Sequence, residues 1–257
     1  MQNRIDHLFQ EKKRNVISIF FTAGYPELNL TVPILKSLQL AGADMVEIGI
    51  PFSDPLADGP TIQESSEKAL RNGMKISLLF DQLSQVRNLV NFPILLMGYL
   101  NPVMQFGIER FCSKCQEVGI DGLILPDLPL DVYEEEYKKI FAQYGLHNIF
   151  LITPQTSNER IHSIDRIGSG FIYVVSTHST TGGSKEIRDS ESFFTRIEGL
   201  NLTMPRLIGF NVKDSESFAY ACSHANGAIV GSAFVKSLQV DSSQDGVARF
   251  VHNLLQS

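Results

Sequence analysis

The stretch Met45–Thr61 holds acidic side chains in two different settings. Glu47 lies inside the apolar run Met45–Ile50, where an ionised carboxylate is costly unless it has a partner or a function. Asp54 and Asp58 follow in a loop that prolines and glycines stiffen, so their side chains can be aimed. A buried glutamate beside a rigid acidic loop predicts an acid/base site. A strand whose acid faces a polar barrel interior, followed by a capped turn, is the alternative interpretation.

Two glycine-containing turns late in the chain could hold an anion. Gly209-Phe210-Asn211 follows one apolar segment, and Gly231-Ser232-Ala233 joins another to a helical pattern. Glycine allows close approach of backbone N–H groups to a phosphate, and a serine at a helix start adds a hydroxyl donor. Loops in these positions of an α/β barrel commonly bind phosphate. Tight turns with a serine N-cap are the alternative.

Histidines and cysteines form no comparable pattern. The six histidines are scattered, and no pair has the spacing of metal ligands, so we predict no metal site. Cys112 and Cys115 spell C-x-x-C, but no second ligand pair accompanies them and they lie in a helical pattern. With Cys222 they make an odd, small number that is not a disulfide framework. We interpret the pair as incidental cysteines on a helix face.

Composition limits the function classes. The 257 residues are 43% hydrophobic and 19% charged, as in an ordinary globular protein. The net charge is −6 and no basic run occurs, which argues against nucleic acid as the main partner. The N-terminal residues lack the apolar core of a signal peptide, and no apolar run approaches membrane-spanning length. We therefore expect a cytoplasmic protein that does not bind membranes.

Apolar segments that alternate with helical patterns predict the fold. Eight strand-then-helix units indicate a parallel sheet covered by helices, and this number favours a closed (β/α)8 TIM barrel. No G-x-G-x-x-G follows the first strand, which weakens the alternative of a dinucleotide-binding sheet. We predict one domain over residues 1–257, with an extra N-terminal helix over 3–14. The predicted strands are 16–21, 44–48, 93–97, 122–125, 147–152, 171–175, 206–208 and 228–230.

Three connecting segments carry more specific predictions. A helix over 61–71 would begin with a capping box formed by Thr61 and Glu64. A second helix would span 75–90, and a third would span 107–118 after an exit loop at 98–102. Barrel enzymes have their catalytic and binding residues at the ends of the strands and in the loops that follow. By this rule the further candidates, besides Glu47, Asp54 and Asp58, are Tyr99, Asn101, Asp127 and Tyr173.

The run Glu47–Gln63 resembles the signature of the tryptophan synthase alpha chain family. The resemblance spans almost the whole chain. It includes Phe21–Pro26, Gly98–Pro102, Asp121-Gly122, Asp127–Pro129, Tyr173 and Gly231-Ser232.

The resemblance implies a (β/α)8 lyase that cleaves indole-3-glycerol phosphate to indole and glyceraldehyde 3-phosphate, a retro-aldol step in tryptophan biosynthesis. Glu47 would be the general acid/base, and an apolar strand can raise its pKa for that task. Asp58 would bind the indole N–H as an ionised carboxylate. Further substrate contacts would come from Tyr99, Asp127, Tyr173 and Thr181. The phosphate would lie against Gly182, Gly209, Asn211, Gly231 and Ser232.

The resemblance also implies a partner. The family's alpha chain binds a beta chain that carries pyridoxal phosphate, as an alpha2beta2 heterotetramer, and needs no cofactor of its own. The docking surface would include Asp54, Pro55, Asn101 and Pro102.

Two loops depart from the family pattern. After strand six, Thr177 and Ser179 replace an arginine and a glycine of Ser-Arg-x-Gly-Val-Thr-Gly, and after strand seven Asn211 replaces the second glycine of Gly-Phe-Gly. Thr177 and Ser179 should weaken closure of the lid over substrate. Asn211 puts a side chain where the backbone would approach the phosphate, although asparagine tolerates left-handed geometry. These changes leave open an alternative function, an impaired alpha chain that mainly activates its beta partner. A phosphate-binding barrel isomerase is a third hypothesis.

Overall fold

Eight parallel strands form a closed ring in chain order, so the first strand pairs with the last. This computed structural model describes residues 3–56, 58–176 and 187–256. The predicted TIM barrel is confirmed. The strands are β1 Val16–Thr22, β2 Met45–Gly49, β3 Ile94–Met97, β4 Gly122–Ile124, β5 His147–Ile152, β6 Ile172–Val175, β7 Arg206–Gly209 and β8 Gly227–Val230.

Helices cover the outside of this ring. Their apolar faces pack against the outward side chains of the strands, which explains why the strands are apolar on both faces. The helices are α1 Arg4–Glu11, α2 Thr31–Ala41, α3 Pro60–Arg71, α4 Ile76–Leu83, α5 Leu100–Phe106, α6 Ile108–Val118, α7 Leu130–Val132, α8 Lys138–Gln143, α9 Asn158–Ile167, α10 Glu191–Glu198, α11 Ser215–His224, α12 Ser232–Val240 and α13 Gln244–Leu255. A π-helical turn over Tyr133–Tyr137 joins α7 to α8, and 3₁₀ turns cover Val86–Asn88 and Ile187–Ser190.

The predicted N-terminal helix is present as α1, and it closes one end of the barrel. Its buried Ile5 and Phe9 join the cluster of inward-facing side chains that fills the barrel interior. The Phe9 ring lies 6.0 Å from the ring of Phe171, measured between centroids. The strands finish at the opposite end of the barrel, which is where barrel enzymes have their active sites.

Two helix predictions need correction. Helix α3 begins at Pro60 with Gly59 as its N-cap and has no side-chain cap, so the capping box of Thr61 and Glu64 is wrong. Proline suits the first turn of a helix because its missing N–H would have no partner there. The predicted helix over 75–90 ends as α4 at Leu83 and continues only as a 3₁₀ turn.

The loop expected at 98–102 is partly helical. Helix α5 begins at Leu100 and contains Asn101 and Pro102 in its first turn, where proline is tolerated. Gly107, with a φ of 93°, then separates α5 from α6.

In the described part of the chain, none of the helices has both the length and the apolar character needed to cross a membrane.

Candidate active site

Glu47 lies in the middle of β2 and points into the barrel. It is paired in register with Phe20 on β1 and Leu95 on β3, and its exposure is 0%. Ser18 donates its hydroxyl to Glu47 Oε1 at 2.9 Å, whereas Oε2 has no hydrogen-bond partner among the described residues. Burial raises the pKa of Glu47 to about 8, against a smaller lowering by the Ser18 hydrogen bond. The raised pKa expected for an acid in an apolar strand is thus present, and the group is mostly protonated at pH 7.

Asp58 lies just before α3 and is only half-buried. The Tyr99 hydroxyl donates to Asp58 Oδ2 at 3.3 Å, and Gln63 Nε2 donates to the Asp58 carbonyl at 2.8 Å. Burial raises the pKa of Asp58 to about 6, and the Tyr99 hydrogen bond lowers it by less. Asp58 is therefore mostly ionised at pH 7 while Glu47 is mostly neutral. Two carboxyl groups whose pKa values are pushed apart can act as an acid and as a stabilising anion.

Tyr173 on β6 connects the two acids electrostatically. Burial chiefly raises the pKa of its hydroxyl, and ionised Glu47 and then ionised Asp58 raise it further. A Cβ atom at Gly209 would overlap the Tyr173 hydroxyl and approach its ring carbons within 2.5 Å. Gly209 therefore leaves room for the tyrosine ring, and it is absent from the cavity wall described next.

A cavity of about 570 Å³ opens beside Asp58 and Tyr173, whereas Glu47 is absent from its wall. Of the candidates, it is lined by Asp58, Tyr173, Asn211, Gly231 and Ser232. Its apolar wall includes Phe20, Ile62, Met97 and Ile229. The cavity thus combines an apolar chamber with a carboxylate and a group of small polar residues, the usual composition of a small-molecule site.

The small polar residues come from the loops after β7 and β8. Phe210 and Asn211 have left-handed φ values of 69° and 59°, a conformation that asparagine tolerates better than most residues. Ser176, at the end of β6, donates its hydroxyl to the Phe210 carbonyl at 3.0 Å and holds this turn. Ser232 begins α12, and its buried Oγ has no hydrogen-bond partner among the described residues.

Other candidates lie elsewhere. Asp127 is exposed and accepts the Leu100 N–H with both carboxylate oxygens, at 2.9 and 3.0 Å, so it caps α5 instead of lining the cavity. Asp54 and Asn101 are exposed, whereas Pro55 and Pro102 are partly buried. Thr181 and Gly182, with the departures Thr177 and Ser179, lie outside the described residues.

Several residues of the cavity wall were not among the predicted site residues, including the cations Arg188, Lys213 and Lys236. The spacing of two of these cations from predicted site residues could have identified them. Lys213 stands two residues after Asn211, and Lys236 lies one helical turn after Ser232, on the same face of α12.

The three cysteines are buried free thiols. Burial raises the pKa of Cys112 to about 12 and that of Cys115 well above its ordinary value, so the C-x-x-C pair is unreactive. Across the ranges that the structure describes, no group of three or more His, Cys, Asp or Glu side chains could hold a metal ion.

The fold and the cavity define a class. The protein is a (β/α)8 barrel with a cavity at the end where the strands finish, and this cavity holds a carboxyl group and small polar loops suited to an anion. Comparison with known proteins narrows this class to one family.

The model of the tryptophan synthase alpha chain family matches residues 6–256. The tryptophan synthase alpha chain of Flavobacterium psychrophilum is 53% identical over 253 residues, covering 98% of this chain and 99% of that protein. That of Christiangramia forsetii is 54% identical over 250 residues, covering 97% of each. The crystal structure of the tryptophan synthase alpha subunit from Legionella pneumophila superposes with a TM-score of 0.89 at 30% identity, covering 100% of this chain and 98% of that one. The chain belongs to the tryptophan synthase alpha chain family, which confirms the resemblance.

Proposed function

We propose that Glu47 and Asp58 carry out in this chain the family's lyase reaction, the retro-aldol cleavage of indole-3-glycerol phosphate. The observation that carries the proposal is two carboxyl groups at one cavity in different settings: Asp58 lines it with a pKa raised to about 6, and Glu47, the register partner of the lining residue Phe20, is fully buried with a pKa raised to about 8. At neutral pH one group can give a proton and the other can hold a negative charge.

The protons balance over one turnover. Neutral Glu47 protonates C3 of the indole ring, and the resulting carboxylate accepts the proton of the glycerol hydroxyl. The carbon–carbon bond then breaks, its electron pair returns to the indole ring, and the hydroxyl carbon becomes the aldehyde. Asp58 accepts the indole N–H and stabilises the positive charge that develops on the ring. Because Glu47 is fully buried, its carboxyl group must turn from Ser18 towards the cavity during the reaction.

The phosphate end is assigned to the loops after β7 and β8. Asn211, Gly231 and Ser232 line the cavity, and Ser232 Oγ has no partner in the described part of the chain. The start of α12 offers backbone N–H groups to an anion. Tyr173 supports the substrate, and Gly209 contributes by making room for Tyr173. Tyr99 acts through Asp58, and Thr181 and Gly182 remain part of the proposal from the sequence alone.

The proposal includes a beta-chain partner carrying pyridoxal phosphate, in an alpha2beta2 assembly. Asp54, Pro55, Asn101 and Pro102 would form the docking surface. Support comes from two exposed apolar side chains next to them, Leu56 at 87% and Met104 at 53% exposure. We also propose a cytoplasmic location, since buried free thiols are typical of a reducing compartment.

Turnover by the purified alpha–beta complex tests the proposal. We expect indole release from indole-3-glycerol phosphate, and a loss of at least about a hundredfold in kcat for Glu47→Gln and Asp58→Asn. Asp81→Asn on the exposed side of α4 is the control and should keep wild-type rates. The comparisons give no support to the alternative of an impaired alpha chain. The alternative would be supported if the wild-type complex released no indole while the alpha chain still raised beta-chain activity.

A further inference from the structure

Ser18 is a buried polar residue in the middle of β1, where every other residue before Thr22 is apolar. A buried hydroxyl costs free energy unless it is hydrogen-bonded, so its partner is informative. The hydroxyl donates to Glu47 Oε1 on the neighbouring strand at 2.9 Å, and both side chains are 0% exposed. The polar residue in this strand is therefore matched to the carboxyl group of Glu47.

This hydrogen bond directs the carboxyl group away from the cavity. In the register of β1 and β2, Glu47 pairs with Phe20, whereas Ser18 pairs with Met45, two residues earlier. Residues two apart on a strand point to the same face and lie about 6–7 Å apart. Phe20 lines the cavity, but Ser18 and Glu47 do not. The carboxyl group is thus held one side-chain layer deeper in the barrel than Phe20.

The two oxygens of this carboxyl group are not equivalent. Oε1 accepts from Ser18, whereas Oε2 is buried with no hydrogen-bond partner in the described ranges. The pKa of Glu47 is about 8, so the group is mostly protonated at pH 7. A protonated carboxyl group has one O–H donor and one carbonyl acceptor. Because Oε1 is the acceptor here, the proton belongs on Oε2.

We propose that Ser18 is a positioning residue, which holds the carboxyl group of Glu47 in a resting orientation and so sets the cost of bringing the acid to the substrate. The inference deepens the proposed function and rests on it for the role of Glu47. Turning the carboxyl group towards the cavity breaks the Ser18 hydrogen bond, which is worth a factor of about three to ten in an equilibrium. Ser18 does not line the cavity, so it should affect the chemical step and leave substrate binding unchanged.

Single-turnover cleavage by the alpha–beta complex tests this cost. Ser18→Ala removes the donor, so bound indole-3-glycerol phosphate should be cleaved about three- to tenfold faster, with its dissociation constant within about twofold of wild type. Ser18→Thr keeps a hydroxyl at the same place in the strand and should return the rate to near wild type. Ser37→Ala is the matched control, because it removes a buried hydroxyl that donates to the Pro33 carbonyl within α2. This control should leave both rate and affinity unchanged.

The titration of Glu47 gives a second readout that requires no turnover. Carbon-13 NMR of the purified chain, labelled at its glutamate carboxyl groups, can follow this residue, because its resonance disappears in Glu47→Gln. The Ser18 donor favours the ionised form of Glu47. Its loss in Ser18→Ala should therefore raise the pKa of Glu47 above the wild-type value of about 8, and Ser18→Thr should restore that value.

The groups around the carboxyl group leave this titration simple to interpret. Phe20 and Leu95, the register partners of Glu47 on the two flanking strands, carry no charge. Tyr173 on β6 has a pKa raised well above its ordinary value, so it stays neutral while Glu47 titrates. Asp58 titrates at a lower pH, with a pKa of about 6, and it is present in every variant.

The outcomes separate this inference from the proposed function. Cleavage that is unchanged or slower in Ser18→Ala, or a pKa of Glu47 that does not rise, would overturn the inference and leave the lyase assignment intact. A rise in rate that Ser18→Thr does not reverse would also count against it, since the hydroxyl would not be the cause. A wild-type complex that releases no indole, while the pKa of Glu47 still rises in Ser18→Ala, would overturn only the lyase assignment.

Discussion

Glu47 and Asp58 carry the same functional group, and their surroundings alone give them different protonation states. Glu47 has one hydroxyl donor inside an apolar barrel, so its neutral form is favoured. Asp58 keeps partial contact with solvent and one phenol donor, so most of it ionises at pH 7. The two carboxyl groups can take different roles because Glu47 lies in an apolar part of the barrel and Asp58 in a more polar part.

The burial of Glu47 should make the free energy of unfolding depend on pH. Because the pKa of Glu47 rises from 4.5 to about 8 on folding, its contribution is fully present below pH 4.5 and is lost as pH rises through 8. Between these limits wild type should lose about 1.4 kcal/mol of unfolding free energy per pH unit relative to Glu47→Gln. Urea unfolding of both proteins at pH 5, 6.5 and 8 measures the difference. Asp58 is present in both proteins, so the effect of its titration cancels in the difference between them. The same dependence of unfolding free energy on pH in both proteins would contradict the prediction.

Sequence could identify the residue types of the site but not which of them meet. Glu47 and Asp58 stood out because acids in apolar or stiffened segments are unusual. Asp127 was chosen by the same rule about strand ends, yet it caps α5. Gly209 was assigned to phosphate, and the ring of Tyr173 from the neighbouring strand occupies the space beside it. Both outcomes depend on contacts between different strands and loops, which spacing along one strand does not encode.

At the scale of elements, the loops after β6 and β7 are joined through Ser176. Its hydroxyl donates to the Phe210 carbonyl at 3.0 Å, and its own carbonyl accepts from the hydroxyl of Ser190. The left-handed Phe210–Asn211 turn is thus tied to both ends of the connection between β6 and α10. Ser176 is a positioning residue, since the conformation of the turn decides where Asn211 meets the cavity.

Replacing this serine should change binding more than chemistry. Ser176→Ala removes one donor and leaves the Phe210 carbonyl unpaired, so KM for indole-3-glycerol phosphate should rise about three- to tenfold, the equivalent of one hydrogen bond. The kcat should stay within about twofold of wild type. Ser190→Ala removes a buried serine hydroxyl from the same network without touching Phe210, and it should raise KM less. Equal effects of the two variants on KM would show that the turn is not held by Ser176.

Elements were predictable where the apolar pattern was long and unbroken. The strand His147–Ile152 has the predicted bounds, and the helix predicted over 107–118 is found as Ile108–Val118. Helix α5 was missed because Asn101-Pro102 has the composition of a turn, although proline in a first turn forfeits no hydrogen bond. The capping box of α3 failed because Gly59 and Pro60 start the helix earlier. Local patterns therefore fixed the type of element better than its first residue.

Across the whole molecule, one buried ion-pair network lies at the end of the barrel opposite the cavity. Asp121, 3% exposed, accepts from Arg4 at 3.0 Å, Arg87 at 2.6 Å and the Ile94 N–H at 2.8 Å. It thereby joins α1 to the segments around β3 and β4. The prediction of one domain over residues 1–257 stays a prediction.

Loss of this carboxylate should destabilise the protein without affecting ligand binding. Asp121→Asn leaves the largely buried Arg87 guanidinium without its counter-charge, and breaking a buried pair costs about 3–5 kcal/mol. Chemical denaturation should measure that loss of unfolding free energy. At denaturant concentrations too low to unfold the variant, it should bind inorganic phosphate with wild-type affinity. Glu117→Gln breaks an exposed pair with Lys114 and should cost under about 1 kcal/mol. A comparable loss in both variants would argue against Asp121 as a central tie of the fold.

The pairing of β1 with β8 has a consequence for synthesis of the chain. Val16 pairs with Gly227, so roughly 200 residues must leave the ribosome before the first strand gains its second neighbour. At about 5–20 residues per second this takes on the order of 10–40 seconds. During that time the β1 edge, apolar on both faces, is open to intermolecular pairing. Nascent chains paused before residue 227 should therefore be the species that chaperones bind and that aggregates first.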